Sequence, residues 1–414
     1  LWLVPHFEKM LYDNAQLLEL LALTHADRPN ALYAQRATET VGWLLREMSA
    51  QRIDGKAAFA ASEDADSEGE EGRFYVWTEA EVDALLGSDS ATFKQAYDVT
   101  ASGNWESHTI LRRITPPGSS DQEAGLERCR DILFQAREKR VRPGWDDKVL
   151  ADWNGLAIAA LARCATVFGQ PAWLGRAREA FEFILTHMTA GHGGVEHAWR
   201  LGRVTAPGLI EDQAAMARAA LALYEATAEH RYLAAAELLA NAAQAAFADA
   251  HGGFFTTAAD ASDVPLTRPR SAADSAAPSG NGLMAEVLAR LFHLTGNTAW
   301  RAAADAALRA FAGQDDQLAA MPSLLAAADL LEEAADVVIV GTDPTALQQA
   351  ALRAPDPAVV VLCVADSGVL PAGHPAHGKP SGLAGGVAYV CRRAVCGLPV
   401  TDATALSQML RTRV

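Results

Sequence analysis

The chain has 414 residues, half of them hydrophobic, and a formal net charge of −16. That length holds one large domain or two to three average ones around a sizeable core. It contains no run of about 18 uncharged apolar residues, so no membrane span is expected, and its acidity argues against a nucleic-acid partner, which needs clustered Lys and Arg.

In chain order, the first pattern is a helical hairpin that recurs. Four segments, starting at Tyr12, Asp152, Glu211 and Ser279, set an amide side chain (Asn14, Asn154, Gln213, Asn281) at the head of an apolar run. An aromatic residue follows each amide after nineteen positions, at Tyr33, Trp173, Tyr232 and Trp300. Gly and Pro in the intervening turns, as at Gly169–Pro171, stop one helix and start the next. The first helix of each pair is apolar nearly all round, as over Leu156–Ala162, and the second carries more charge, as over Arg176–Glu182. This predicts an inner ring of buried helices and an outer ring of half-exposed ones; the alternatives are an open solenoid or an irregular bundle.

Between about residues 54 and 143 the repeat is interrupted by an acidic loop, a strand-like Arg73–Trp77, a Pro/Gly/Ser linker at 116–120 and a helix over 121–140. Residues 262–279 predict a long loop and 318–331 a further helix. The tail predicts strands at 336–341 and 358–363 around a helix at 345–353. A Gly/Pro/His-rich loop at 371–386 and a strand at 388–391 follow. The expected division is a toroid over 1–333 and a small α/β appendage over 334–414. Five cysteines (Cys129, Cys164, Cys363, Cys391, Cys396) are odd in number and sparse, so free thiols and a cytoplasmic setting are expected. The chain opens on Leu1 rather than Met, which leaves room for a targeting sequence ahead of it.

Four stretches resemble YyaL-like proteins, the family that includes the spermatogenesis-associated thioredoxin-domain proteins. They are Leu3–Ala15, Ser62–Glu68 with Gly72–Trp77, Arg137–Pro143 with Asp146–Gly155, and Tyr389–Cys391 with Cys396 and Pro399–Asp402. The resemblance implies an all-α (α/α)6 toroid similar to sugar epimerases and six-hairpin glycosidases. It also implies a thioredoxin-like domain ahead of the toroid; that domain, its Cys-x-x-Cys motif and the toroid's first hairpin are expected to be absent from this chain.

Parallel inner helices would gather Asp13, Asn14, Asp152, Asn154, Asp212, Gln213, Ser279 and Asn281 at one mouth of the ring. Each taken singly is an ordinary helix cap; together they predict a polar floor that, with the faces of Tyr12 and Trp153, suits a sugar. The first motif adds His6 and Glu8, with Glu8, Tyr12 and Asp13 expected on one helical face. The acidic loop offers Asp64 and Asp66. It partly mimics a calcium loop but places Tyr75 where a bidentate Glu belongs, and no metal or cofactor is expected. The loop 103–108 offers Trp105 as a platform and His108 as an acid or base. Asp146, Asp147 and Lys148 stand just before an inner helix. The expected catalytic set is therefore His6, Glu8, His108, Asp146 and Asp147. The expected sugar-binding set is Tyr12, Asp13, Asn14, Asp64, Asp66, Trp105, Lys148, Trp153, Asn154, Asp212 and Asn281. His197 is also available, with no partner singled out. The rival expectation is a non-catalytic scaffold serving the thioredoxin-like domain.

Overall fold

The computed structural model describes residues 4–262, 266–313, 315–381, 385–393 and 395–411. Leu3 of the first motif and parts of the expected loops 262–279 and 371–386 lie outside them. The helices in chain order are α1 (Leu11–Asp27), α2 (Ala31–Glu47), α3 (Glu79–Leu86), α4 (Ser90–Tyr97), α5 (Ser120–Arg137), α6 (Ala151–Val167) and α7 (Pro171–His187). They continue with α8 (Ile210–Thr227), α9 (His230–Phe247), α10 (Gly280–Thr295), α11 (Thr298–Arg309), α12 (Pro322–Glu333), α13 (Thr345–Leu352) and α14 (Ala403–Met409). None of these is long and apolar enough to cross a membrane.

The residues up to Met10, with Ser62–Asp146, form one compact unit, and Leu11–Ala61 with Asp147–Val414 form another. The larger unit is built on inner helices packed in sequence order, α1 on α6, α6 on α8, α8 on α10 and α10 on α12. Helices α2, α7, α9 and α11 back the first four of them. This is the (α/α)6 toroid architecture. Its inner helices are apolar all round because they pack on both sides: every residue from Gly155 to Ala162 is buried. An outer helix such as α11 buries only Trp300, Ala304 and Ala307. Gly155 marks a close crossing, where a Cβ would stand 2.6 Å from the carbonyl carbon of Ala215 in α8.

The repeated amides have a specific task. Asn154 accepts the Phe59 N–H (2.8 Å) and donates to the Phe59 and Leu150 carbonyls (both 2.9 Å). Gln213 does the same for Val195, at 2.9 and 2.7 Å. Asn281 does so for Phe254, at 2.8 and 2.9 Å. Each amide thus clamps the return loop of the preceding hairpin onto the head of the next inner helix. It supplies the hydrogen bonds that a buried loop backbone would otherwise lack.

The appendage is a four-stranded sheet. Val359–Val364 pairs parallel with Ala335–Val340, with α13 as the crossover, and Val387–Arg392 and Val395–Cys396 add antiparallel strands. Cys391 and Cys396 face each other across the last pair and are disulfide-bonded, which corrects the expectation of five free thiols; Cys129, Cys164 and Cys363 are free.

In the smaller unit, Lys9–Met10, Ser62–Glu63 and Trp145–Asp146 form an antiparallel sheet. The acidic loop is a hairpin: Asp66–Ser67 pairs with Glu70–Glu71 through a turn with positive φ at Glu68 (54°) and Gly69 (80°). Arg73–Trp77, expected as a strand, is mostly turn. Its carbonyls at Phe74 and Val76 accept from the Arg140 guanidinium (3.0 and 2.7 Å) instead of a ladder partner. The helix expected over 318–331 starts later, at Pro322, after a 3-10 turn over Asp315–Ala320.

Candidate active site

At the N-terminal ends of α6 and α8 the larger unit brings three titratable groups together. Asp152 is the second residue of α6 and Asp212 the third of α8. His197 stands just before the strand Ala198–Arg200, which pairs with Val149–Leu150 immediately ahead of α6. That pairing and an Ala151 N–H to His197 carbonyl bond (2.9 Å) fix the imidazole over the helix start.

Asp212 is fully buried. One oxygen accepts the Asp152 N–H (3.0 Å), the other the Leu209 N–H (2.8 Å), and the pair accepts from His197 Nδ1 at 3.0 and 3.2 Å. A carboxylate only accepts, so Nδ1 carries the proton and Nε2 is left to exchange one. Asp152 Oδ1 lies 4.0 Å from the same Nδ1 and accepts the Trp153 N–H (2.8 Å). The side chains of His197 and Asp152 keep 24 % and 17 % exposure, enough for a ligand to touch them.

The electrostatics follow from burial beside a fixed negative charge. Burial, then the charge of Asp212, pushes the Asp152 carboxyl up to about 7. The hydrogen bond to Asp212 outweighs burial at His197 and pushes its imidazole up to about 9. Burial also raises Glu211, whose Oε2 is buried with no hydrogen-bond partner among the described residues. Tyr12 and Trp153 meet edge to face at 4.7 Å beside this mouth. Three donor atoms of Asp152, His197 and Asp212 lie within 4.8 Å of one another, close enough for one cation. The N–H groups already on both Asp212 oxygens compete with that use.

The expected site residues divide between the two units. Tyr12, Asp13, Asn14, Asp147, Lys148, Trp153, Asn154, Asp212 and Asn281 belong to the larger one, and His6, Glu8, Asp64, Asp66, Trp105, His108 and Asp146 to the smaller. Asp212 stands at the centre of the site. Asn154 and Asn281, expected on a polar floor, are buried at 0 % and 2 % with their amides engaged by backbone. Asp147 pairs with Arg200. In the smaller unit, α1 has not yet begun at Glu8, so Glu8 does not share its face. His6 is exposed, and Asp146 lies in the sheet opposite Ser62. His108 is exposed in a tight turn, bonded to the Glu106 carbonyl, and Trp105 packs on Phe7 at 5.2 Å. Asp64 accepts the Asp66 N–H (3.3 Å), a local turn contact. The sequence reading placed Asp152 at the mouth without a chemical role and gave His197 no partner. The missing signal is the short pairing of Val149–Leu150 with Ala198–Trp199.

Fold and site together define an α-helical toroid with a buried carboxylate–imidazole pair at its mouth. Along 99 % of its length the chain is similar to spermatogenesis-associated protein 20 of Homo sapiens, at 30 % identity, and over 85 % of its length to that of Rattus norvegicus, at 31 %. This supports the family resemblance carried by the motifs. The chain spans 58 % and 50 % of those relatives' own lengths. No family model matches the chain. Among solved structures it is similar to a GH76 α-mannanase of Bacteroides thetaiotaomicron (TM-score 0.46, 13 % identity, 74 % of this chain and 62 % of that one). It is also similar to the cellobiose 2-epimerase of Spirochaeta thermophila (0.41, 15 %, 78 % and 59 %) and to a D-mannose isomerase (0.38, 14 %, 73 % and 74 %). These scores carry nothing about chemistry to this chain.

Proposed function

We propose that the toroid mouth is an acid/base site that moves protons on a small carbohydrate, in the manner of an epimerase or aldose–ketose isomerase. The observation that carries this is the group of Asp152, His197 and Asp212. Asp152 is a carboxyl whose affinity for its proton is raised toward neutrality, where a general acid or base works best. Beside it, Asp212 holds His197 Nδ1–H and raises the imidazole's affinity for its second proton, so Nε2 carries a proton it can donate. Asp152 takes or returns the proton on carbon, His197 Nε2 serves the neighbouring oxygen, and Tyr12 and Trp153 offer apolar surface to the sugar. Hydrolysis fits this trio less well. It needs two carboxyl groups facing the substrate, and Asp212 is fully buried with both oxygens accepting N–H groups.

The scaffold reading draws on acids further along the inner helices. There Arg218 bridges Glu19 (2.6 Å) and Glu286 (3.0 Å), and Arg290 bridges Glu286 (2.9 Å) and Glu225 (3.4 Å), so these acids are spent on guanidinium groups. In the mouth trio no guanidinium pairs with Asp212 among the described residues; it accepts from the Asp152 and Leu209 N–H groups and from His197.

The test is incubation with a panel of aldoses and ketoses in D2O, followed by NMR. The expected result is deuterium at the carbon next to the carbonyl, abolished in Asp152→Asn and His197→Gln. New anomeric signals without exchange would replace the isomerase reading with hydrolysis. No change in any sugar at high protein concentration would leave the scaffold reading.

A further inference from the structure

A cavity separate from the mouth lies among the inner helices, and it shares no residue with Asp152, His197 and Asp212. Its walls come from α1, α6, α8 and α10, and from α13 and the strand Val359–Val364 of the appendage. The cavity measures about 50 Å³. A water molecule needs roughly 10–15 Å³ of such space, so the cavity holds the equivalent of about four. Ala159, Ala162, Ala222, Ala226 and Ala351 make much of the wall, and their small side chains are what leave it open.

Three guanidinium groups line this cavity, and they are unequally committed. Arg218 donates to Glu19 and Glu286 (2.6 and 3.0 Å). Arg290 donates to Glu286 (2.9 Å) and to the Pro357 and Val359 carbonyls (2.7 and 3.3 Å). Arg163 is different. Its Nε stands 3.8 Å from Glu19 Oε1, an oxygen that already accepts from Arg218. Among the described residues the Arg163 guanidinium has no hydrogen-bond partner, although its side chain is only 21 % exposed. Its N–H donors, set in a planar fork, are left for an acceptor that the protein does not supply. The other carboxylates of the wall serve backbone: Glu225 accepts the Val361 N–H (3.2 Å) and Asp356 the Ala358 N–H (2.9 Å). Burial weakens the hold of Arg163 on its proton; Glu19 offsets part of this, and Arg290 and Arg218 add to it. Burial also pushes the Glu225 carboxyl up, which lessens the negative charge that an incoming anion meets.

We propose that this cavity binds a small aliphatic monocarboxylate, of about two to four carbons to match its volume, on the Arg163 guanidinium. The fork offers parallel N–H groups to the two carboxylate oxygens. The short alkyl body rests on the alanine wall. That division of surfaces favours a carboxylate over inorganic phosphate, whose further oxygens would meet methyl groups. It also disfavours water alone, because a buried water takes about three hydrogen bonds and the alanine side offers none. Residues 351–361 contribute to the wall, and Arg290 holds the Pro357 and Val359 carbonyls beside it. The ligand therefore sits where toroid and appendage meet, and its binding tightens that junction.

The test titrates the whole chain with sodium propionate, against sodium chloride at the same ionic strength, and follows binding by calorimetry. A dissociation constant at or below about 1 mM is expected for a ligand of this size. Arg163→Gln removes the charge and Arg163→Lys removes the fork, so each should weaken binding at least about tenfold. A further readout needs no variant. In the wild-type chain propionate should slow hydrogen exchange in the peptide covering 351–361 and leave the peptides containing Asp152 and His197 unchanged. No saturable binding, equal binding in the wild type and the folded variants, or protection at the mouth instead overturns the proposal. So does inorganic phosphate that binds more tightly than propionate and depends on Arg163. None of these readouts depends on whether the mouth turns over a sugar.

Discussion

Replacing Asn154 by Ala tests whether the repeated amides are clamps. The substitution removes three hydrogen bonds and strands the N–H and C=O of Phe59, which is itself fully buried. Leaving a buried polar group unpaired costs about 1–3 kcal/mol. The two groups at Phe59 together therefore cost about 4 kcal/mol, while Leu150, at the head of α6, keeps helical partners for its carbonyl. A chain of this size does not unfold as a single two-state unit, so the assay is local: hydrogen exchange read by mass spectrometry. The peptide containing Phe59 should exchange roughly three decades faster in the variant. The peptide containing Phe254, held by Asn281, serves as the internal control and should stay protected. A change at Phe59 of less than tenfold would refute the clamp, as would an equal change at Phe254.

Other predictions follow from the same packing and charges. Gly155→Ala forces a Cβ to 2.6 Å from the Ala215 backbone, so α6 and α8 must separate; local hydrogen exchange in the two helices is expected to quicken by the equivalent of about 1–3 kcal/mol, and unchanged exchange would contradict the crossing. Arg218→Met leaves Glu19 and Glu286, with side chains 22 % and 19 % exposed, without their shared cation. Breaking such a buried pair costs about 3–5 kcal/mol, and the thermal midpoint should fall accordingly. Thiol labelling of the denatured, unreduced chain should count three free cysteines, rising to five after reduction; five at the outset would contradict the Cys391–Cys396 bond. Asp152→Asn should also flatten the pH dependence of stability. The Asp152 carboxyl is raised from 3.8 to about 7, so the folded state holds a proton that the unfolded state has released, and stability falls as pH rises through that window. The variant should lose this slope between pH 4 and 7.

The hairpin repeat was legible because it obeys one rule four times: an amide, an apolar run, then an aromatic at a fixed offset. Trp173, Tyr232 and Trp300 are each buried on the inward side of an outer helix. What was not legible was the purpose of the amides. Sequence places Asn154 and Asn281 at the ring mouth, where an amide suits a sugar hydroxyl as well as a backbone. Only the return loops at Phe59 and Phe254 decide between them. Asp147 and Lys148, close in sequence to Asp152, were no guide to the site, because a two-residue strand turns the chain between them. His197 is 45 positions from Asp152 in the chain, and only the pairing of Val149 with Trp199 brings the two together. Short strand pairings of this kind have too few residues to leave an alternation pattern. The same limit applies at Lys9–Met10 and Ser62–Glu63.

The central claim is that Asp212 orients and charges His197 beside Asp152. Titration of the His197 imidazole by NMR tests it directly, in the wild-type chain and in Asp212→Asn. The account predicts a wild-type midpoint well above the ordinary 6.5, near the value of about 9 that the Asp212 bond imposes, and a clear fall in the variant. The stability this pair contributes is full below 6.5 and lost as pH rises through the folded midpoint. An ordinary midpoint in the wild type, or one that Asp212→Asn leaves unmoved, would contradict it.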